Sequence, residues 1–217
     1  MNELPNPADH LGLEPYGDPV WAMQNLGFQR YYRQGLPAEE AVRAVEEAYE
    51  HTKKYHESPT LHCLGDEECD AFLLSNAPGI EETIERALGI EFKKIVRQLP
   101  AIFRGESSQT SFRMAHPCGI VGDGLSVFGV VRGSATIVVY PGSHQNWESF
   151  MAEPTAPYEA TLDNTQLLVV AGQTFVEIVP TGETLVVWWG FSRELILANA
   201  FSPFALPLMV FHPWGRS

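Results

Sequence analysis

From residue 92 onward the apolar positions alternate or cluster in short stretches, and Gly, Pro, Asn and Asp mark the breaks between them. This period predicts strands over 94–99, 109–115, 124–131, 134–140, 166–170, 174–179, 184–191, 194–201 and 208–212. The stretch 134–140 is the clearest, with β-branched Thr136, Ile137, Val138 and Val139 ahead of Tyr140. Pro141-Gly142-Ser143-His144 then forms a strand exit: Pro141 cannot donate to a ladder, Gly142 permits a tight turn, and Ser143 and His144 can bond back to the loop.

Before residue 92 the period is helical. Pro37 suits a helix start, and Ala38, Ala41, Val42, Val45, Ala48 and Tyr49 form one apolar stripe with glutamates on the other face. A short acidic helix is predicted over 66–75. A third opens at Pro78-Gly79, with Ile80, Ile84, Ala87 and Leu88 on one face and Gly89 as its C-cap. Residues 21–35 predict a short helix running into a strand, and residues 1–20 a surface arm. The prediction is one domain over 1–217, mostly β: helices in 1–92 jacket a barrel or jelly roll in 93–217.

Composition narrows the partners. The 217 residues are 45% hydrophobic and 19% charged, enough to bury a core, and the formal net charge is −13. An acidic surface repels phosphate backbones and anionic bilayers, so neither nucleic acid nor a membrane is an expected partner. Met1-Asn2-Glu3-Leu4-Pro5 has no basic start and no apolar run follows, so a signal peptide is not expected. Three cysteines, Cys63, Cys69 and Cys118, fit reduced thiols in a cytoplasmic protein. His62, Cys63 and Cys69 lack a second Cys/His pair to complete a zinc tetrahedron.

The order of these segments resembles a known family. A Gly27-Phe28 segment in aromatic surroundings precedes the acidic helix. The Pro-Gly-Ile-x-x-x-Ile-x-x-x-Leu-Gly helix of 78–89, the strand ending in Pro141-Gly142-Ser143-His144, and Thr181-Gly182-Glu183-Thr184-Leu185-Val186-Val187 follow. Together they resemble the phytanoyl-CoA dioxygenase-like family, which implies a double-stranded β-helix, a cupin-like jelly roll. The resemblance further implies Fe(II) held by a His-x-Asp pair and a distal His, with 2-oxoglutarate bound by an Arg. Here the His-x-Asp position reads His116-Pro117-Cys118. The stretch 189–194, where the distal His is sought, has none, and 201–206 has no cation. A facial triad needs two imidazoles and a carboxylate. The expectation is therefore a family fold without a metal site or a cofactor.

Candidate chemistry then rests on inward strand residues. His116 is the leading candidate for proton transfer, since imidazole titrates near neutrality. Arg113 and Cys118 are its candidate catalytic neighbours, although strand alternation sets Arg113 on the face opposite His116. Cys118 reads first as a small buried side chain, and as a nucleophile it has no evident base beyond His116. Tyr140, Trp188, Arg193 and Phe112 are candidate substrate contacts; core packing is the alternative for Trp188, and an exposed pair with Glu194 is the alternative for Arg193.

Three functions remain open. One is a cofactor-independent isomerase, cyclase or lyase of secondary metabolism, acting on a hydrophobic small molecule. Another is an oxygenase with unusual ligands, such as His116 with His144 or His212 and Asp123 or Glu148. The third is a non-catalytic binding or partner subunit. A homodimer is compatible with each.

Overall fold

The computed structural model describes residues 19–52, 61–63, 66–105, 112–115, 124–145, 150, 152 and 155–193. The described elements are α1 (Pro19–Asn25), β1 (Phe28–Tyr32), α2 (Glu39–Thr52), β2 (Leu61–Cys63), α3 (Asp66–Leu74), α4 (Ile80–Leu88) and a 3₁₀ turn (Phe92–Lys94). Eight strands follow: β3 (Val96–Gly105), β4 (Phe112–Ala115), β5 (Gly124–Arg132), β6 (Ala135–Val139), β7 (Tyr158–Leu162), β8 (Gln166–Ala171), β9 (Phe175–Pro180) and β10 (Thr184–Ser192).

They form two antiparallel sheets, ordered β1-β8-β5-β10-β3-β2 and β4-β9-β6-β7. From β3 the chain passes between sheets at each step except β6 to β7, which are neighbours in the small sheet. That winding makes the fold a double-stranded β-helix, as the sequence implied.

Strand alternation divides the apolar residues into two cores. On β10, Leu185, Val187, Trp189 and Phe191 face the helices, whereas Val186 and Trp188 face the small sheet. The helix-side core takes Val45 and Tyr49 of α2, Phe72 and Leu73 of α3, and Ile80, Ile84 and Leu88 of α4. The helical stripes thus cover the large sheet, which is buried on both faces and reads as near-continuous apolar runs. At Gly129 a Cβ would lie 2.9 Å from Leu167 and 3.0 Å from Phe72, so the bare backbone of β5 sets how closely α3 approaches.

Several boundaries differ from expectation. The predicted strand over 94–99 begins instead at Val96, after the 3₁₀ turn, and continues to Gly105. It passes through Pro100 by way of a bulge: Trp188 pairs with Ala101 but Gly190 with Gln98, leaving one extra residue on β3. Pro100 has no N–H to offer the ladder, and a bulge is where a strand tolerates that. β2 and β7 were not anticipated. β7 is an edge strand reading Tyr-Glu-Ala-Thr-Leu, with Ala160 and Leu162 buried and Glu159 and Ala160 carrying weak strand propensity. The strands expected over 194–201 and 208–212 lie outside the described residues, as does the arm expected over 1–20 except for Pro19 and Val20, which begin α1. Among those described, no helix is long and apolar enough to cross a membrane.

Candidate functional site

The space between the sheets is graded along the strands. Its middle is filled by Phe128, Ile137, Leu168, Ile178 and Trp188, all buried. Toward one rim the inward positions shrink to Ser126 on β5 and to Gly190 and Ser192 on β10, where Ser126 pairs with Gly190 and Gly124 with Ser192. The same rim holds the ends of β6 and β8 and the start of β9. Tyr140 donates its N–H to Phe175 O at 3.1 Å, and Gly172 donates to Gly124 O at 2.7 Å. β4 also ends here, with Ala115 opposite Phe175.

Trp188 forms the floor of this graded space. Its ring stacks with Phe128 at 6.3 Å and 16°, and its indole N–H donates to Ser126 Oγ at 3.2 Å. A buried indole N–H needs such an acceptor. The adjacent Trp189 points the other way, fully buried on the helix side. Arg97 lies over it at 5.8 Å and over Phe92 at 4.7 Å, and pairs with Asp70 at 3.5 Å.

The other predicted site residues are distributed unevenly. Phe112 takes the register position opposite Ile178, whose side chain belongs to the inter-sheet core, and Arg113 the position opposite Glu177. Tyr140 is a correction: alternation beyond Val139 places it on the outer face, where its ring meets Phe150 at 5.5 Å and Phe175 at 5.3 Å. Arg193 is another. It is exposed on the helix side, where its Nε donates to Leu88 O at the end of α4. A cation on the last carbonyls of a helix is favourable for the helix dipole. His116 and Cys118 lie outside the described residues, as do Asp123, Glu148 and His212. Ser126, which reasoning from sequence passed over, is the polar residue that Trp188 holds; its signal was a lone serine in an apolar strand.

His144 is held by packing rather than aimed between the sheets. It is 2% exposed, and its Nε2 lies 3.2 Å from Gln24 O, which also accepts from Gln145 at 2.6 Å. A Cβ on Gly27 would lie 2.6 Å from His144 Nδ1, so the α1–β1 turn presses directly on the ring. Ser143 bonds back to Tyr140 O at 2.7 Å, as its place in the turn predicts.

Burial pushes the His144 pKa below its ordinary value, with a smaller opposing contribution from Gln24 O. The unfolded chain therefore binds the proton more readily. This contribution to stability is complete above about pH 6.5 and is lost as pH falls through the folded pKa. Urea midpoints measured between pH 7.5 and 5 should fall with acidification in the wild type. They should fall less in His144→Gln; equal slopes would remove His144 as the cause.

The donor set for a facial triad is not assembled by the described residues. β9, not β10, is the neighbour of β4, so the second ligand should be sought at Gln173, Thr174 and Phe175 rather than over 189–194. None of these three is an imidazole or carboxylate, and Thr174 bonds Gly27 O at 3.2 Å. The inward row of β10 carries Val186, Trp188, Gly190 and Ser192, without a cation. No group of three His, Cys, Asp or Glu side chains among the described residues could hold a metal ion.

The winding of the strands defines a double-stranded β-helix, a cupin-like jelly roll. No protein-family model matches the chain, and no curated protein matches it in sequence. Solved structures share its fold. AviO1 from Streptomyces viridochromogenes Tue57 superposes with a TM-score of 0.56 at 11% identity, over 80% of this chain and 93% of AviO1. SnoN, a non-heme alpha ketoglutarate dependent epimerase from nogalamycin biosynthesis, gives 0.57 at 14% identity, over 79% and 80%. HygX from Streptomyces hygroscopicus, with nickel and 2-oxoglutarate bound, gives 0.55 at 9% identity, over 82% and 87%. At these identities the likeness is one of fold.

Proposed function

We propose that this chain is a small-molecule enzyme on a dioxygenase-like β-helix, a divergent relative of the phytanoyl-CoA dioxygenase-like family that works without iron or 2-oxoglutarate. Its reaction is an isomerisation, cyclisation or elimination of a hydrophobic metabolite held between the sheets. The observation that carries this reading is the rim itself: Ser126, Gly190 and Ser192 line it on the large sheet, and Gln173, Thr174 and Phe175 at the start of β9, beside the end of β4, include no imidazole or carboxylate. Such a rim gives a ligand shape and apolar contact, with few polar groups to orient it. His116 is the proton-transfer group, Cys118 lies two residues beyond it in sequence, Phe112 is a wall residue and Trp188 is the floor. Holding a reactive conformer supplies much of the barrier lowering in a ring closure, so few acid–base groups are required. That SnoN is an epimerase lends the fold a precedent for isomerisation.

The alternative is an oxygenase whose ligands lie outside the described residues, and the metal-bound neighbour HygX favours it. An anaerobic titration of metal-stripped protein with Fe(II) and 2-oxoglutarate separates the two. The expected result is no visible charge-transfer band at saturation. A band would overturn the proposal and make His116 the first ligand to test. In its absence, turnover of apolar polyketide-like substrates in chelator, lost in His116→Ala, would identify the reaction. Binding without turnover would identify a binding subunit.

A further inference from the structure

We propose that one edge of Arg33, formed by Nε and Nη2, is a binding site for a small monocarboxylate at the junction of β1, α2 and α3. The site lies beyond the opposite end of β1 from Gly27 and is independent of the space between the sheets.

Arg33 is 7% exposed. Its Nη1 donates to two carbonyls at the end of α3, Leu73 O at 3.2 Å and Ser75 O. The guanidinium lies over the Phe72 ring at 4.9 Å. These contacts use one corner of the group. Nε and Nη2 are both buried and meet no hydrogen-bonding partner among the described residues. Those two nitrogens project roughly parallel N–H bonds along one edge of the planar guanidinium, the fork that a carboxylate accepts in bidentate fashion.

The charge also lacks compensation. The chain has 27 acidic residues against 14 Lys and Arg, yet none forms an ion pair with Arg33 among the described residues. Burial pushes the guanidinium down to about 10, with Tyr31 opposing the shift, so it stays cationic at neutral pH. A buried cation without a counter-charge is costly, and an anion on its open edge removes that cost.

The surroundings select the anion. Ser75 Oγ is engaged by Ala38 N at 2.6 Å, which fixes the start of α2 beside the site. A ligand with one negative charge suffices to balance the single charge of Arg33, which favours a monoanion. The loop that follows Arg33, Gln34 to Leu36, is exposed, and Gly35 has nothing within 4 Å of its Cβ position.

Thermal unfolding of the full chain in sodium acetate against sodium chloride, at one pH and ionic strength, tests the site. The wild type should show a saturable rise of about 2–5 °C specific to acetate. Arg33→Lys keeps a cation but not the fork, and should lose that rise. Line broadening of the acetate methyl resonance by folded wild-type protein, reversed by formate, gives the same answer should the variant fold poorly. Equal melting of the wild type in acetate and chloride would overturn the proposal, as would an undiminished acetate effect in Arg33→Lys.

Discussion

Trp189→Ala should destabilise the protein by about 3–5 kcal/mol, the range for a large aromatic truncated in a packed interior. Trp189 is fully buried in the helix-side core, with Phe191 at 5.1 Å and Arg97 above its ring. Removing it opens a cavity where α3, α4 and the centre of the large sheet meet. It also leaves Arg97 and Asp70 without their apolar support. Trp189→Phe should behave differently. The Trp189 indole N–H has no acceptor among the described residues. Phe keeps part of the ring contact and removes a buried orphan donor, whose cost is about 1–3 kcal/mol. The loss in Trp189→Phe should therefore be under about half that of Trp189→Ala. Trp188→Phe provides the contrast, because Trp188 donates to the buried Ser126 Oγ and the substitution takes that donor away instead of removing an orphan. Chemical denaturation of the three variants checks the order. A Trp189→Phe loss as large as that of Trp189→Ala would mean that the indole nitrogen is satisfied in solution.

Gly27→Ala should cost about 2–4 kcal/mol, combining left-handed backbone strain with overpacking. Gly27 has φ +82, and a Cβ there would meet His144 Nδ1 at 2.6 Å and Thr174 Oγ1 at 2.8 Å. Neither neighbour is free to yield. His144 is bonded to Gln24 O and Thr174 to Gly27 O. The substitution should loosen α1 and the Pro141–His144 turn together. Hydrogen exchange would then rise at both segments while β5 and β10 stay protected. Because His144 gains water, the acid dependence of stability should flatten as well. Faster exchange confined to α1 would show that the turn does not depend on this contact.

Much of the architecture followed from local physics. The stripe of Ala41, Val45 and Tyr49, and that of Ile80, Ile84 and Leu88, needed only helical geometry, and each is buried as its spacing requires. The two faces of β10 followed from a period of two, which sent Trp188 and Trp189 to opposite cores.

Partnership between distant strands was not legible. The register of β4 with β9 is what relocates the second-ligand position, and it depends on how two sheets wind around each other. Tyr140 follows an inward Val139 on a strand whose faces only sheet packing distinguishes, so its outward position was a tertiary decision. Arg193 was assigned to a pocket from its place in the chain, and the end of α4 claimed it through a carbonyl 105 positions away. Arg33 stood unremarked in a loop, and only its burial among α3 carbonyls makes its charge consequential. Side-chain period and residue chemistry act over a few positions, and sequence alone determined what they control: the helices and the strand faces. Which polar groups share a low-dielectric space depends on contacts across the whole chain, and that only the tertiary structure decided.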